Sequence, residues 1–168
     1  MNAVFDFGKV ESIVTGYTIY VDDSHSVDYV PQEGSSRLSE RYGQVGFASL
    51  LVASTVQLRL SIARMQVVYA YGYHPKAHWR LADLRAPAGD RNALLLHDPG
   101  FVLYSGEGYR LENTVSWMTW YSTDGSWICL GNPNSQLSDQ VAEFASGQRA
   151  VLSNGSLTAL WLNLKSRS

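Results

Sequence analysis

With 168 residues and a formal net charge of -2, the chain is long enough for one hydrophobic core and has no excess of either sign. That balance argues against a nucleic-acid partner, which would need a basic stripe able to neutralise several phosphates. No apolar run approaches the roughly 20 residues of a membrane-spanning helix, and the lone cysteine, Cys129, cannot close an intrachain disulfide.

One β-rich domain over residues 1–168 is expected, since single cores run to roughly 100–200 residues. The opening "MNAVFDFGKVESIVTG" has neither the basic start nor the apolar run of a secretory signal. A single thiol suits a reducing compartment, so a cytoplasmic location is expected. Ten Tyr and five Trp stand against 17% charged residues, a balance that suits sheets, interfaces and sugar platforms equally.

In chain order, "YTIYVDD" predicts a strand ending in an acidic turn, where Asp22, Asp23, His25 and Asp28 cluster. Their spacing matches no EF-hand, so a polar turn is expected. "VDYVPQEGSSR" reads as an exposed loop. In "SSRLSERYGQVGFASLLVAS", Leu38, Tyr42 and Val45 fit a helical stripe, but Gly43 and Gly46 weaken it and "FASLLVAS" is equally a strand. "TVQLRLSI" alternates cleanly, Val56, Leu58, Leu60 and Ile62 against Gln57, Arg59 and Ser61. "MQVVYAYGYH" follows with Met65, Val67, Tyr69, Tyr71 and Tyr73 on one side, which predicts a hairpin through Ala63-Arg64.

His74 and His78 lie four apart in "YHPKAHWR". Pro75 breaks the helix that would bring them together, and an extended chain holds them about 13 Å apart, so no metal site and no cofactor are expected. "HWRLADLRAPAGDR" interrupts Arg80, Arg85 and Arg91 with Asp83 and Asp90, a solvated mixed-charge segment. "NALLLHDPG" predicts a short buried strand, and "FVLYSGEGYRLE" two extended pieces around residues 105–108.

"SWMTWYSTDGSWICLG" predicts a hairpin turning at Asp124-Gly125, a type I′ pair. "QLSDQVAEFASG" spaces Leu137, Val141 and Phe144 as a short helix, with Asn134 or Ser135 as cap and Gly147 as stop. In "RAVLSNGSLTALWLNL", Asn154-Gly155 marks a second type I′ hairpin. Many short strands at turn spacing predict a mainly β fold, an antiparallel β-sandwich or barrel with one or two short helices.

The tryptophans Trp79, Trp117, Trp120, Trp127 and Trp161 all lie in strand-like runs. Trp117 and Trp120 are an odd number apart, so an ideal strand sends them to opposite faces and leaves one outward unless both faces are covered. The leading expectation is a non-catalytic binding or assembly module. Its face would include Trp117, Trp120, Tyr121, Trp127, Tyr71 and Tyr73, and its ligand would be a carbohydrate or a protein partner, copies of itself included.

Between Ile128 and Leu130 in a strand, Cys129 is expected to pack as a small buried hydrophobe; the alternative is an enzyme with Cys129 as nucleophile and His74, His78 or His97 as base. "DGSWICLG" resembles the active-site segment of ubiquitin-conjugating enzymes, where a glycine leads into an Ile-Cys-Leu triplet and a helix follows. The resemblance implies that Cys129 carries a thioester and that "QLSDQVAEFAS" is the following helix. The family's His-Pro-Asn does not precede Cys129, and the spacing from Gly125 is one residue too long. A third expectation is a structural subunit of a larger homo-oligomeric assembly.

Overall fold

Alternating apolar residues become strands nearly everywhere the sequence places them. A computed structural model describes residues 1–166. Among these, the chain forms β1 (Phe5–Gly8), β2 (Gly16–Val21), β3 (Ser26–Pro31), α1 (Ser35–Tyr42), β4 (Phe47–Val52), β5 (Val56–Ser61), β6 (Gln66–Tyr73) and β7 (Arg80–Ala82). There follow β8 (Asp90–Arg91), β9 (Ala93–Leu96), β10 (Gly108–Arg110), β11 (Thr119–Ser122), β12 (Trp127–Gly131), β13 (Gln140–Ala145), β14 (Gln148–Ser153) and β15 (Ser156–Asn163).

Two sheets result, as a mainly β sandwich requires. The first runs β1-β9-β6-β5-β4-β10, with the β2-β3 hairpin joined through β3 to the far end of β6. The second runs β7-β11-β12-β15-β14-β13-β8. Leu50, Leu58, Leu60 and Leu94 of the first sheet share one buried core with Ile128, Leu130, Phe144, Leu152 and Leu160 of the second. The pairing is antiparallel except at three short edge strands: β10 lies parallel to β4, β7 to β11 and β8 to β13. Both sheets are therefore mixed. No described helix is long and apolar enough to cross a membrane.

The turns show which local signals count. Asn154 and Gly155 take φ of 50° and 81°, the left-handed pair of a two-residue hairpin between Ser153 and Ser156. At Asp124-Gly125 only the glycine is left-handed, so the expected type I′ turn gives way to a longer loop. Its hub is the Asp124 carboxylate, which accepts from Ser122 Oγ at 2.7 Å, Ser126 N at 3.0 Å and Ser126 Oγ at 2.7 Å. These bonds hold its pKa down at about 2.

Three expected elements are corrected. Residues 136–147 hold strand β13 and no helix. The helical spacing divides among environments: Leu137 is fully exposed, Phe144 enters the main core and Val141 packs on the opposite face. The other candidate stripe does form a helix, α1, with Leu38 and Tyr42 buried and Gly43 N–H closing its end on Ser39 O at 2.8 Å; Val45 stays exposed outside it, and "FASLLV" is strand β4. The expected loop after Ser26 is strand β3, with Val27 and Tyr29 buried. Of the two pieces around residues 105–108, only β10 is a strand.

A bulge in β6 corrects the expected face of "MQVVYAYGYH". Leu60 pairs with Val67 but Arg59 pairs with Tyr69, so Val68 is an extra residue. Val67 and Ala70 turn inward, and Tyr69 and Tyr71 turn outward beside Arg59 and Gln57.

The same strand has a gap along one edge. β9 pairs only with Gln66 and Val67, and β3 only with Gly72 and Tyr73. Between them, the backbone of Ala70 is met by a side chain from the opposite sheet. Gln148 Oε1 accepts from Ala70 N at 2.7 Å, and its Nε2 donates to Ala70 O at 2.9 Å and to Thr18 Oγ1 at 3.1 Å. Gln148 is completely buried, and its amide acts as a one-residue strand that ties the two sheets together. Gln148→Leu keeps the bulk but strands these buried groups, so urea unfolding should show a loss on the order of 3–5 kcal/mol. A loss below about 1 kcal/mol would contradict this role.

Candidate functional site

Beyond β6 the chain turns inward at His74, passes Pro75 and one 3₁₀ turn at Lys76–His78, and presents Trp79 before entering β7. Backbone bonds fix the corner: His74 N donates to His25 O at 2.7 Å, and Tyr20 Oη donates to His74 O at 3.1 Å. The buried His74 ring bridges two loops, with Nδ1 3.1 Å from Thr55 Oγ1 and Nε2 2.7 Å from Thr119 Oγ1. Burial pushes its pKa down to about 4, so the imidazole is neutral at physiological pH.

Trp79 is the centre of an aromatic group. Its ring lies 5.1 Å from Tyr20, nearly edge-on, 5.5 Å from His74 and 6.4 Å from Tyr121. Lys76 Nζ sits 4.2 Å from the Tyr20 ring centre and 3.1 Å from Asp22 Oδ1. One side of Trp79 lines an open cleft of about 520 Å³ together with Thr55, His74, Trp117, Met118 and Thr119. The other lines a more enclosed pocket of about 290 Å³ with Lys76, Tyr121, Ile128 and Leu164. The indole is the wall between them, and its Nε1 is shielded from solvent without a hydrogen-bond partner.

The opposite wall of the cleft is built by two further devices. Thr114, fully buried, accepts from Ala53 N at 3.0 Å and donates to Leu111 O at 2.8 Å, which anchors the loop carrying Trp117 beside the β4-β5 turn. At Gly131, φ is 99° and a Cβ would come within 3.1 Å of the Trp117 ring, so glycine lets that indole lie over the end of β12. Ala53 and Ser54 in the β4-β5 turn take left-handed φ of 50° and 67°. Neither residue type favours that conformation, so the cleft rim holds some backbone strain.

The six residues expected to form one binding face are dispersed. Trp117 packs against the main core and lines the cleft, whereas Trp120 pairs with Cys129 on the outer side of the second sheet. Trp117 lies in the loop before β11 and not in a strand with Trp120, so the parity expectation does not hold for it; both rings are half-buried. Trp127 lies on that outer side too, 6.3 Å from Trp161 and under the Arg149 guanidinium. Tyr121 lines the enclosed pocket, and Tyr71 lies on the outside of the first sheet, bonded to Gln57 Oε1 at 3.1 Å. Tyr73 is exposed.

Trp79 is the site residue that periodicity missed. Its signal was the His-Pro pair closing a strand, which turns the next few residues across the end of a sheet.

Cys129 has no solvent exposure and sits mid-strand, and burial raises its thiol pKa to about 12. It holds no thiolate at neutral pH, β13 stands where the resemblance implied a helix, and both nitrogens of His74 are occupied by threonines. His78 is exposed and lines the open cleft. Among the described residues, no group of three His, Cys, Asp or Glu side chains could hold a metal ion.

The buried imidazole carries a pH signature. Unfolded His74 takes a proton below about pH 6.5, whereas the folded residue resists until about 4. Stability is therefore complete above about pH 6.5 and falls by roughly 3 kcal/mol as pH drops towards 4. Urea midpoints for wild type and His74→Gln, which keeps a donor and an acceptor without titrating, should diverge over that interval. Parallel profiles would refute it. No protein-family model matches the chain, and no curated protein matches it either.

Proposed function

We propose that the chain is a non-catalytic binding module whose ligand is a neutral carbohydrate held in the cleft between Trp79 and Trp117. The observation that carries this reading is the lining itself: two indoles, two threonine side chains and the neutral His74 imidazole, with His78 and Arg80 beside them and no carboxylate. Sugar C–H faces pack well on aromatic rings, and sugar hydroxyls can donate to the lone pairs that the threonine hydroxyls keep beside His74. Glycoside hydrolysis needs a pair of carboxylates about 5–10 Å apart, so the chemistry of this lining supports binding over cleavage.

A second reading, a protein partner or a second copy of the chain, rests on a different surface. The loop before β10 exposes Phe101, Val102 and Tyr104 together, with Val102 at 68%. Exposed apolar clusters of this kind favour association.

Neutral oligosaccharides immobilised on an array should retain the wild-type chain, and Trp79→Phe or Trp117→Phe should weaken retention at least tenfold while the rings still fill their sites. Absence of retention, or equal retention by both variants, would overturn the carbohydrate reading. Sedimentation velocity over a hundredfold concentration range distinguishes self-association: Val102→Asp should abolish any concentration dependence, and a wild-type monomer throughout would remove the second-copy reading.

A further inference from the structure

Strands β7 and β8 lie at opposite edges of the same sheet, yet only residues 83–89 join them. Seven strands at about 4.8 Å spacing put those edges about 29 Å apart. The chain from Ala82 to Asp90 reaches about 26–29 Å when fully extended. The segment is thus a strap drawn across the outer face of the second sheet with little slack.

Burial alternates along it: Asp83 and Arg85 are exposed, while Leu84 and Ala86 face the sheet. Beneath lie Cys129, Val151, Ala159 and Trp161, flanked by Trp120, Trp127 and Val141. This small apolar layer is separate from the main core. What it rests under is weakly fixed. Residues 83–89 belong to no strand, and the side-chain bond that holds them runs from Arg149 Nη1 to Pro87 O at 2.7 Å. Their anchors, β7 and β8, are three and two residues long.

The cover also traps unmet donors. Trp161 Nε1 and Arg149 Nε are both shielded from water without a partner. Water reaching them on opening offsets part of what the lost apolar contacts cost.

We infer that residues 80–91 lift as one unit, uncovering Cys129 and its tryptophan layer while the two-sheet core stays folded. With so little slack, the strap rises by releasing a short edge strand, so strap and anchors move together. Opening of this kind belongs to the low-stability end of a protein's local fluctuations.

Cys129 reports the event. Iodoacetamide labelling at pH 8, followed by mass spectrometry across a urea series, should show a rate that is flat at low urea, because local opening exposes little surface, and that joins the global unfolding line only at higher urea. Arg149→Met keeps the apolar stem and removes the clamp, so it should raise the flat rate roughly fivefold to thirtyfold. Leu84→Ala should raise it as well. Ile128→Val, adjacent in β12 but facing the main core, should shift the global line and leave the flat rate unchanged. A labelling rate that follows global unfolding at every urea concentration, or a flat rate that neither strap variant raises, or one that Ile128→Val raises as much as they do, would overturn the inference.

Discussion

Ala70 lies in the interior with a backbone N–H and C=O that neither β9 nor β3 reaches, and the amide of Gln148 satisfies both. A buried peptide group without partners costs more than most core contacts contribute, so this pair of bonds constrains where β14 can sit against β6. The third bond of the same amide, to Thr18, fixes β2 as well. One side chain therefore sets the relation between the β2-β3 hairpin, the middle of the first sheet and the centre of the second. The leucine-rich layer between the sheets supplies most of the driving force, but it is non-directional. Gln148 supplies direction.

The cleft inherits its geometry from that constraint. β6 runs from the gap at Ala70 to Tyr73, and the next residue is His74, whose ring touches the β4-β5 turn on one side and β11 on the other. Because His74 is neutral and fully bonded, it works as a rigid strut between loops. Trp79 then stands on a short turn supported by Tyr20, His74 and Tyr121, and separates two cavities of unequal enclosure. The chain leaving Trp79 becomes β7 and then the strap over Trp120 and Trp161. Cleft wall and strap are thus one continuous stretch, and the second sheet is apolar on both faces for two different reasons: the main core on one, the strap on the other.

Local patterns carried much of this in the sequence. The alternation of Val56, Leu58 and Leu60 gave a strand with those three buried, and Asn154-Gly155 gave a tight hairpin, since both depend on neighbours only. The buried placement of Cys129 followed from its position between Ile128 and Leu130. What stayed hidden depends on residues distant in the chain. The bulge at Val68 changes the facing of Tyr69 and Tyr71, and nothing in "MQVVYAYGYH" marks it. The helical spacing of Leu137, Val141 and Phe144 is real in the letters, but pairing with β14 and β8 overrides it. Ala53-Ser54 carries no turn signal and is held left-handed by the loop around Thr114. The parity of Trp117 and Trp120 assumed one strand, but Trp117 falls in the loop before β11; the cover over the layer around Trp120 comes from the strap, which reads as a solvated charged segment because its alternate residues, Asp83 and Arg85, are exposed.

Amide hydrogen exchange at Ala70 tests the central constraint most directly. If the Gln148 side chain completes the sheet at that point, the Ala70 N–H exchanges only through global unfolding, as slowly as Leu58 and Leu130 in the middle of their strands. Exchange at Ala70 faster by orders of magnitude, at the rate of an unpaired edge, would mean that the gap is open and that the sheets are held together by some other means.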